Sequence, residues 1–192
     1  MTLRPYHPDD APALPALFRD SVRRVNARDY SPEQIAVWAS DDIDLGRWAG
    51  RFDGRFAVVA EESGRPVGFA ELEPDGHIDR VYVSADYQRR GAGRELLGAI
   101  LAEARRVGIA RLFVEAGITA RPFFEAQGFS ILERQVASCR GTELVNYLMA
   151  RSVVQPHAAA DTDYVAYCAS GLALNRPDPL RICPTRGSSF VE

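Results

Sequence analysis

The stretch that decides the fold prediction is VYVSADYQRRGAGRELLGAIL, residues 81–101. It runs from an apolar strand, through two arginines and two glycines, into an amphipathic helix. We predict that this helix extends from about Gly91 to Val107 and ends at the cap glycine Gly108. Its apolar stripe consists of Leu96, Leu97, Ile100, Leu101, Ala104 and Val107.

The junction Gln88–Gly93 has the composition of an anion site. A helix N-terminus leaves backbone N–H groups without partners, and its dipole favours negative charge. Gly91 and Gly93 let the chain turn sharply and let a phosphate approach the backbone. Charged donors come from the neighbouring Arg89, Arg90 and Arg94. The pattern indicates a phosphate or pyrophosphate site, and a plain strand-to-helix turn with exposed arginines remains the alternative.

The spacing does not match two common phosphate loops. GAGREL is not G-x-G-x-x-G, because Leu96 occupies the position of the third glycine. It is not a Walker A loop either, because it lacks the Gly-Lys-Ser/Thr ending and the longer spacing. The residues alone therefore leave the phosphate ligand open.

Composition and charge exclude several classes of partner. The chain has 192 residues, a formal net charge of −3 and 46% hydrophobic residues, which indicates one well-buried domain. The negative charge argues against general attraction to nucleic acid or to an anionic membrane. No apolar run approaches the roughly 18 residues of a membrane span. The N-terminus lacks the apolar core of a signal peptide, so we expect a cytoplasmic protein.

The cysteines do not indicate a metal site or a disulfide framework. Cys139, Cys168 and Cys183 are odd in number and widely spaced, and they form no C-x-x-C pair. No histidine cluster lies near them, so no metal is predicted. Free thiols are the simplest interpretation, and a Cys168–Cys183 pair remains open.

Upstream of the central stretch the pattern alternates between strands and helices. TLRPY reads as a short strand, and HPDDAPALPALFRDSVRRVNARDY carries apolar residues at helical spacing, with Asp9 and Asp10 near its start. SPEQIAVWAS reads as a second helix with Ser31 as N-cap. RFAVVAEE and RPVGFAELE form a hairpin around Ser63–Gly64, and GHIDRVYVS follows antiparallel after the turn PDG.

Downstream of it the predicted order is strand, helix and hairpin. RLFVEA is expected to pair parallel to HIDRVYV, because a helical crossover separates them. TARPFFEAQGF is a short helix that stops at Gly128, and SILERQVAS pairs with ELVNYLMAR around CRGT. From about Ser152 no periodicity is sustained, which predicts an irregular or partly ordered extension. A cap or dimer contact through YVAYCASGLAL remains open.

Several motifs together resemble the GNAT superfamily of N-acetyltransferases. QRRGAG, after VYVSADY and before a long helix, resembles the family's Q/R-x-x-G-x-G/A signature. LRPYHPDDAPALPALF resembles its opening strand and helix, VGFAEL its third strand, and RPFFEAQGF its late helix. The match covers about residues 2–151. It implies an α/β (α+β) domain over residues 1–151, and an extension over 152–192.

The resemblance also implies the architecture and the cofactor. The fold would be a mixed, mostly antiparallel sheet of six or seven strands, flanked by about four helices, with a splayed central strand pair. Acetyl-CoA would be the co-substrate, its pyrophosphate held by the glycine-rich loop and its acetyl carbonyl by main-chain groups near Val81. The residues implied in cofactor binding are Val81, Tyr82, Val83, Gln88, Arg89, Arg90, Gly91, Ala92, Gly93, Arg94, Thr119, Phe123 and Phe124.

Acetyl transfer to an amine requires that the amine lose a proton. His77 stands where relatives can carry a carboxylate base, and an exposed turn residue is its alternative interpretation. Asp79 shares a strand face with His77 in a regular strand, so it could orient the imidazole or act as the base itself, unless a bulge intervenes. Glu71 and Glu73 are most simply solvated charges at a strand edge.

The proton donor departs from the family pattern. Many relatives have a tyrosine where this chain has Phe124, which cannot protonate the leaving thiolate. Tyr82 or solvent would take that role, and Phe124 would pack against the pantetheine arm.

The predicted function is an N-acetyltransferase that moves the acetyl group of acetyl-CoA to a primary amine of a small molecule or peptide. Direct attack in a ternary complex is expected, because no cysteine lies in the predicted thioester strand. A non-catalytic acyl-CoA-binding sensor is the alternative, which Phe124 keeps open. Neither nucleic acid nor a membrane is expected as a partner, and a homodimer remains open.

Overall fold

The computed structural model describes residues 1–153, and the extension predicted over 152–192 therefore lies almost entirely outside the described residues. Seven strands are formed: β1 Thr2–Pro5, β2 Phe56–Glu62, β3 Arg65–Leu72, β4 Ile78–Val83, β5 Arg111–Gly117, β6 Ser130–Cys139 and β7 Thr142–Ser152. Five α-helices accompany them: α1 Leu14–Val25, α2 Pro32–Trp38, α3 Leu45–Gly50, α4 Ala92–Val107 and α5 Arg121–Ala126.

The strands form two sheets that touch at one point. The first has the order β1-β2-β3-β4 and the second the order β5-β7-β6, and all of these pairs are antiparallel. Between β4 and β5 there is one parallel bridge, His77–Phe113, where the Phe113 N–H donates to the Gly76 carbonyl at 3.1 Å. The splayed central pair is thus confirmed, and the predicted parallel pairing is limited to this bridge.

Helix α4 covers one face of the first sheet, as its apolar stripe predicts. Leu96, Leu97 and Ile100 are fully buried against the strands. Val107 is 49% exposed and was wrongly placed on the buried stripe, because it lies in the last turn beyond the sheet. Gly91 and Gly108 flank the helix with φ angles of 92° and 78°, which a glycine adopts without strain.

The other face is covered by α1, α2 and α3 around an aromatic cluster. Phe18, Trp48 and Phe69 are buried there, with ring centroids 5.5 Å apart for Phe18–Trp48 and 6.4 Å apart for Trp48–Phe69. The sequence did not predict α3, because LGRWAG is short and has a glycine near each end. Its start is fixed by Asp44, whose side chain accepts the Arg47 N–H at 3.0 Å.

Two helix starts differ in how well the sequence predicted them. Ser31 caps α2 as predicted, and Gln34 completes a capping box with it. Asp10 does not lie in the first turn of α1, which begins at Leu14. It belongs to a separate 3₁₀ turn, where its carboxylate accepts two hydrogen bonds of 2.7 Å from Arg4. This guanidinium lowers the pKa of Asp10 even though burial opposes the shift.

Two further expectations concern the membrane and the cysteines. None of the helices in residues 1–153 is long and apolar enough to span a membrane. Cys139 is buried, and its thiol lies 3.6 Å from the Val37 carbonyl. Cys168 and Cys183 lie outside the described residues.

The bridge between the sheets predicts an unequal response of two glycines to alanine. Gly76 and Gly64 both have a positive φ, 94° and 76°, so alanine is strained at both. At Gly76 the added methyl group would also collide with the Arg111 carbonyl, whereas at Gly64 nothing lies within 4 Å. Gly76→Ala should therefore lower the free energy of unfolding by about 2 kcal/mol more than Gly64→Ala. Urea unfolding measures the difference, and equal losses would contradict the prediction.

Candidate active site

A cavity of about 690 Å³ opens where β4 and β5 diverge. Its walls come from α1, the end of α2, β4, the start of α4, β5 and α5. Twelve of the thirteen residues predicted to bind the cofactor line it, namely Val81, Tyr82, Val83, Gln88, Arg89, Gly91, Ala92, Gly93, Arg94, Thr119, Phe123 and Phe124. Two glycines, a helix start and a strand edge thus meet in one concave site.

The start of α4 presents backbone donors to this cavity. Gly91 adopts a left-handed conformation, and no side chain caps the helix. The first N–H groups of a helix have no partner within it, and the dipole is positive at that end. Arg89 also has a positive φ, 63°, and with Arg94 it brings positive charge to the cavity wall. This arrangement can bind an anion such as a phosphate.

Two side chains of the loop make contacts within the protein. Gln88 uses its side-chain amide to donate to the Val83 carbonyl at 2.8 Å, which fixes the loop to the end of β4. Arg90 does not line the cavity, and its guanidinium lies 5.0 Å from the centroid of the Tyr87 ring. The side chain stacks on Tyr87, and its contact with the pyrophosphate stays a prediction.

Phenylalanine side chains form the wall opposite the loop. Phe124 is 3% exposed, with its ring centroid 5.2 Å from those of Phe123 and Phe129. A side chain at Gly93 would come within 3.4 Å of the Phe123 ring, so this glycine lets the helix start approach the wall closely. Phe124 packs against Phe123 and Phe129, and its side chain offers no proton.

His77 is completely buried, which corrects its interpretation as an exposed turn residue. Its Nδ1 lies 3.2 Å from Glu73 Oε2, and its Nε2 lies 2.6 Å from Glu115 Oε2. Burial alone would lower the pKa of His77, but the hydrogen bonds to Glu115 and Glu73 raise it to about 9. A ring that is protonated and bound on both sides is poorly placed to take a proton from an acceptor directly.

Asp79 does not orient His77, because the β-bulge that the prediction left open does separate the two. Glu71 pairs with Arg80 and Leu72 pairs with Ile78, so Asp79 is the extra residue of β4. The alternation that would have put Asp79 and His77 on one face is thereby broken.

The surroundings of Asp79 also argue against its predicted role as base. Its Oδ2 lies 2.7 Å from Arg55, 3.2 Å from Arg80 and 3.3 Å from Arg51. Burial would raise the pKa of Asp79, but these guanidinium groups hold it below its usual value. Three neighbouring guanidinium groups make Asp79 a weaker proton acceptor than a carboxylate with a single cationic neighbour.

Glu71 and Glu73 are buried, so the expectation that they are solvated charges at a strand edge is wrong. Glu71 is fully buried and Glu73 is 9% exposed. Arg55 binds both, at 3.4 Å from Glu71 Oε2 and at 2.7 Å from Glu73 Oε1. Arg80 lies 3.4 Å from the other Glu71 oxygen. The carboxylates therefore belong to a buried network of ion pairs.

Tyr82 lines the cavity and keeps its proton. The ring packs between Phe18 and Phe69, with centroids 4.9 Å and 5.9 Å away. Burial raises the pKa of Tyr82 well above its ordinary value. The hydroxyl can therefore donate a hydrogen bond or a proton at neutral pH.

Sequence reasoning missed Glu115, a buried side chain of the site. Glu115 lies in β5, and its side chain is 6% exposed. The available signal was a charged residue in the middle of the apolar run RLFVEAG, where a buried strand rarely places one. Among residues 1–153, no group of three or more His, Cys, Asp or Glu side chains is suited to hold a metal ion.

Comparison with known proteins assigns the family. A family model described as an acetyltransferase (GNAT) domain matches residues 26–150. The chain belongs to the GNAT acetyltransferase family. An uncharacterized N-acetyltransferase of Escherichia coli K12, YafP, is 35% identical over 147 residues, which cover 77% of this chain and 93% of YafP.

Solved structures agree with the assignment. A GCN5-related N-acetyltransferase from Rhodopseudomonas palustris is 38% identical, with a TM-score of 0.75, over 79% of this chain and 94% of that one. The acetyltransferase YncA from Salmonella typhimurium, solved with acetyl-CoA, is 23% identical, with a TM-score of 0.62, over 84% and 98%. At that identity YncA shows a shared fold alone. This GNAT acetyltransferase thus has the α+β fold that its motifs predicted.

The buried histidine predicts a pH dependence of stability. A folded pKa of about 9 for His77 exceeds the unfolded value of 6.5, so the stabilisation is complete below pH 6.5 and is lost as the pH rises through 9. The wild-type free energy of unfolding should fall over this interval by about 3 kcal/mol more than that of His77→Gln. Urea unfolding across the pH range tests this, and parallel curves would contradict it. The ring NMR signals that are present in the wild type and absent in His77→Gln belong to His77. Following them across the pH range in the wild type gives the pKa of His77 independently.

Proposed function

We propose that this protein transfers the acetyl group of acetyl-CoA to a primary amine of a small molecule or peptide. The observation that carries the proposal is the uncapped start of α4 at Gly91, which faces the 690 Å³ cavity together with Arg89 and Arg94. The pyrophosphate would bind the free N–H groups of this helix start. YncA, which shares the fold and was solved with acetyl-CoA, supports the choice of donor.

The splayed strand would hold the rest of the donor. Beyond His77 the edge of β4 that faces β5 has no strand partner among residues 1–153, so main-chain groups around Val81–Val83 would be available to the pantetheine arm. An N–H donor near Val81 would polarise the acetyl carbonyl. Phe123 and Phe124 would supply the apolar wall on the opposite side of the cavity.

Direct attack in a ternary complex is the proposed mechanism. The neutral amine attacks the acetyl carbon, the C–N bond forms and the C–S bond breaks. Tyr82 gives its hydroxyl proton to the thiolate, and the proton that the nitrogen loses on becoming an amide restores the hydroxyl. Tyr82, which lines the cavity and keeps its proton, is the proposed donor to sulfur. Cys139 is the sole cysteine in residues 1–153, and it does not line the cavity. A covalent acetyl-cysteine therefore has no candidate nucleophile among the described residues.

Acetyl-CoA binding should be abolished by a negative charge at the helix start. Gly91→Glu is expected to raise the Kd for acetyl-CoA about 100-fold, because the carboxylate would occupy the phosphate position. Gly98→Glu is the matched control, since Gly98 is exposed on the same helix with nothing within 4 Å. Gly91→Ala separates the effect of charge from that of backbone strain at a φ of 92°. Calorimetric titration measures all three, and unchanged binding by Gly91→Glu would refute the donor site.

Turnover is tested by release of CoA thiol with a panel of alkylamines, diamines, amino acids, aminoglycosides and peptides. We expect release with a subset of them, and no acetylated protein in the mass spectrum after incubation with acetyl-CoA alone. Binding without release from any amine would favour the acyl-CoA sensor instead. A stable acetyl-enzyme would refute direct transfer.

The proposed proton donor is tested separately. Tyr82→Phe should lower kcat about 100-fold and leave the Kd for acetyl-CoA within twofold. Tyr87→Phe is the control, because Tyr87 also lines the cavity but lies on the loop beside Arg90. Equal rates for wild type and Tyr82→Phe would assign protonation of the thiolate to solvent.

A further inference from the structure

Glu115 has one carboxylate oxygen that residues 1–153 do not satisfy. Its Oε2 accepts a hydrogen bond of 2.6 Å from His77 Nε2. Its Oε1 is buried and has no hydrogen-bond partner in the part of the chain that the structure describes. A buried carboxylate oxygen without a partner is costly, and such a group in a cavity points to a ligand that supplies the missing donor.

The unsatisfied oxygen belongs to a residue that lines a second, smaller cavity of about 40 Å³. This pocket has aromatic walls formed by Phe18, Tyr30, Trp38 and Tyr82. Trp38, Tyr82 and Glu115 also line the 690 Å³ cavity, so the two spaces adjoin. Asp79 and Arg80 also line the pocket and pair with each other at 3.2 Å. The groups in it that favour a cation are therefore the aromatic faces and the Glu115 carboxylate.

The pocket exists because β5 has a glycine at its end. A side chain at Gly117 would come within 2.9 Å of the Tyr30 hydroxyl and 3.2 Å of Trp38. Without one, both aromatic side chains reach the strand, and the Tyr30 hydroxyl accepts the Ile118 N–H at 2.8 Å and donates to the Val145 carbonyl at 2.7 Å. These two bonds hold the pocket wall in place and keep the space small.

A second unsatisfied polar side chain lies on the same face of the sheet. Asn146 pairs with Gly117 across β5 and β7, so its side chain shares a face with that of Glu115. Asn146 is completely buried, and neither of its amide atoms has a hydrogen-bond partner within residues 1–153. The face that carries Glu115 thus holds further unused hydrogen-bonding capacity.

The neighbouring carboxylates are already occupied. Glu71, Glu73 and Asp79 each pair with at least one arginine, at distances of 3.4, 2.7 and 2.7 Å. An acceptor ammonium would have to displace those guanidinium groups to bind there. Glu115 contacts His77 through one oxygen and leaves the other for a ligand.

We propose that Glu115 Oε1 binds the ammonium group of the acceptor and takes its first proton, and that His77 positions Glu115 for this role. One N–H bond of the ammonium breaks, an O–H bond forms on Oε1, and the freed lone pair of nitrogen attacks the acetyl carbon. The 40 Å³ space selects a primary amine on a slim, unbranched stem, since a bulkier nitrogen would meet the aromatic walls. This inference rests on the proposed acetyl transfer to an amine.

The binding part is tested without turnover, with methylammonium chloride as the probe and CoA present. Ring NMR signals of His77 are followed in wild type, Glu115→Gln and Glu133→Gln, with sodium chloride at equal ionic strength subtracted. Glu133 is exposed on β6 and serves as the matched control. We expect saturable shifts in wild type and the control, and at least tenfold weaker binding, about 1.4 kcal/mol, in Glu115→Gln. Equal binding by Glu115→Gln, or no saturable shift in wild type, would overturn the proposal.

The proton-accepting part is tested with two amines that differ in charge. Glu115→Gln should lower kcat/KM for methylamine about 100-fold and leave the Kd for acetyl-CoA unchanged. With 2,2,2-trifluoroethylamine, which is largely neutral at neutral pH, the loss should be much smaller, because no proton has to be removed before attack. Equal losses for both amines would overturn the base role. If no amine supports thiol release in wild type, the proposed function fails, and the methylammonium titration alone decides on the ammonium site.

The positioning role of His77 has its own readout. His77→Gln should lower kcat/KM for methylamine and leave both the KM for acetyl-CoA and the rate with 2,2,2-trifluoroethylamine nearly unchanged. A merely structural role would lower the rates with both amines together. That second outcome would remove His77 from the proposal and leave Glu115 in it.

Discussion

The contact on which the rest of the structure depends is the single bridge between β4 and β5. Phe113 donates to the Gly76 carbonyl, and the backbone passes so close to Arg111 that position 76 has no room for a side chain. Beyond this point the two sheets share no further bridge, and the cavity opens between them. A fully paired sheet would have satisfied the edge of β4 internally and left no main-chain groups for a ligand.

Next to the bridge the protein buries a charge-balanced cluster. Its acidic members are Glu71, Glu73, Asp79 and Glu115, and its basic members are Arg51, Arg55, Arg80 and His77. Burying charges is costly unless each is paired, so such a cluster is weak evidence for stability. The clearer effect of the cluster is on side-chain position, because each ion pair fixes a side chain beside the cavity. Glu115 differs from the other acidic members, since one of its oxygens has no hydrogen-bond partner among the described residues.

The sequence predicted the parts of the molecule that depend on local signals. Helix α4, its glycine ends and the Ser31 cap follow from residues close together in the chain. The burial of Glu71 could not be predicted in this way, because it requires Arg55 from the start of the preceding strand and Arg80 from the following one. The bulge at Asp79 likewise arises from the register between β3 and β4, which no residue pattern along β4 reveals.

The donor and acceptor sides of the proposed reaction also differ in whether local sequence signals reveal them. The donor side uses backbone N–H groups of consecutive residues at a helix start, so a short motif identifies it. The acceptor side uses side chains from α1, α2, β4, β5 and β7, brought together through the bond from Tyr30 to Val145 and the open position at Gly117. A change at any of those elements alters the pocket while the motif stays intact. In the proposed site, acceptor choice would depend on the tertiary contacts around Glu115, and the sequence motif carries no information about those contacts.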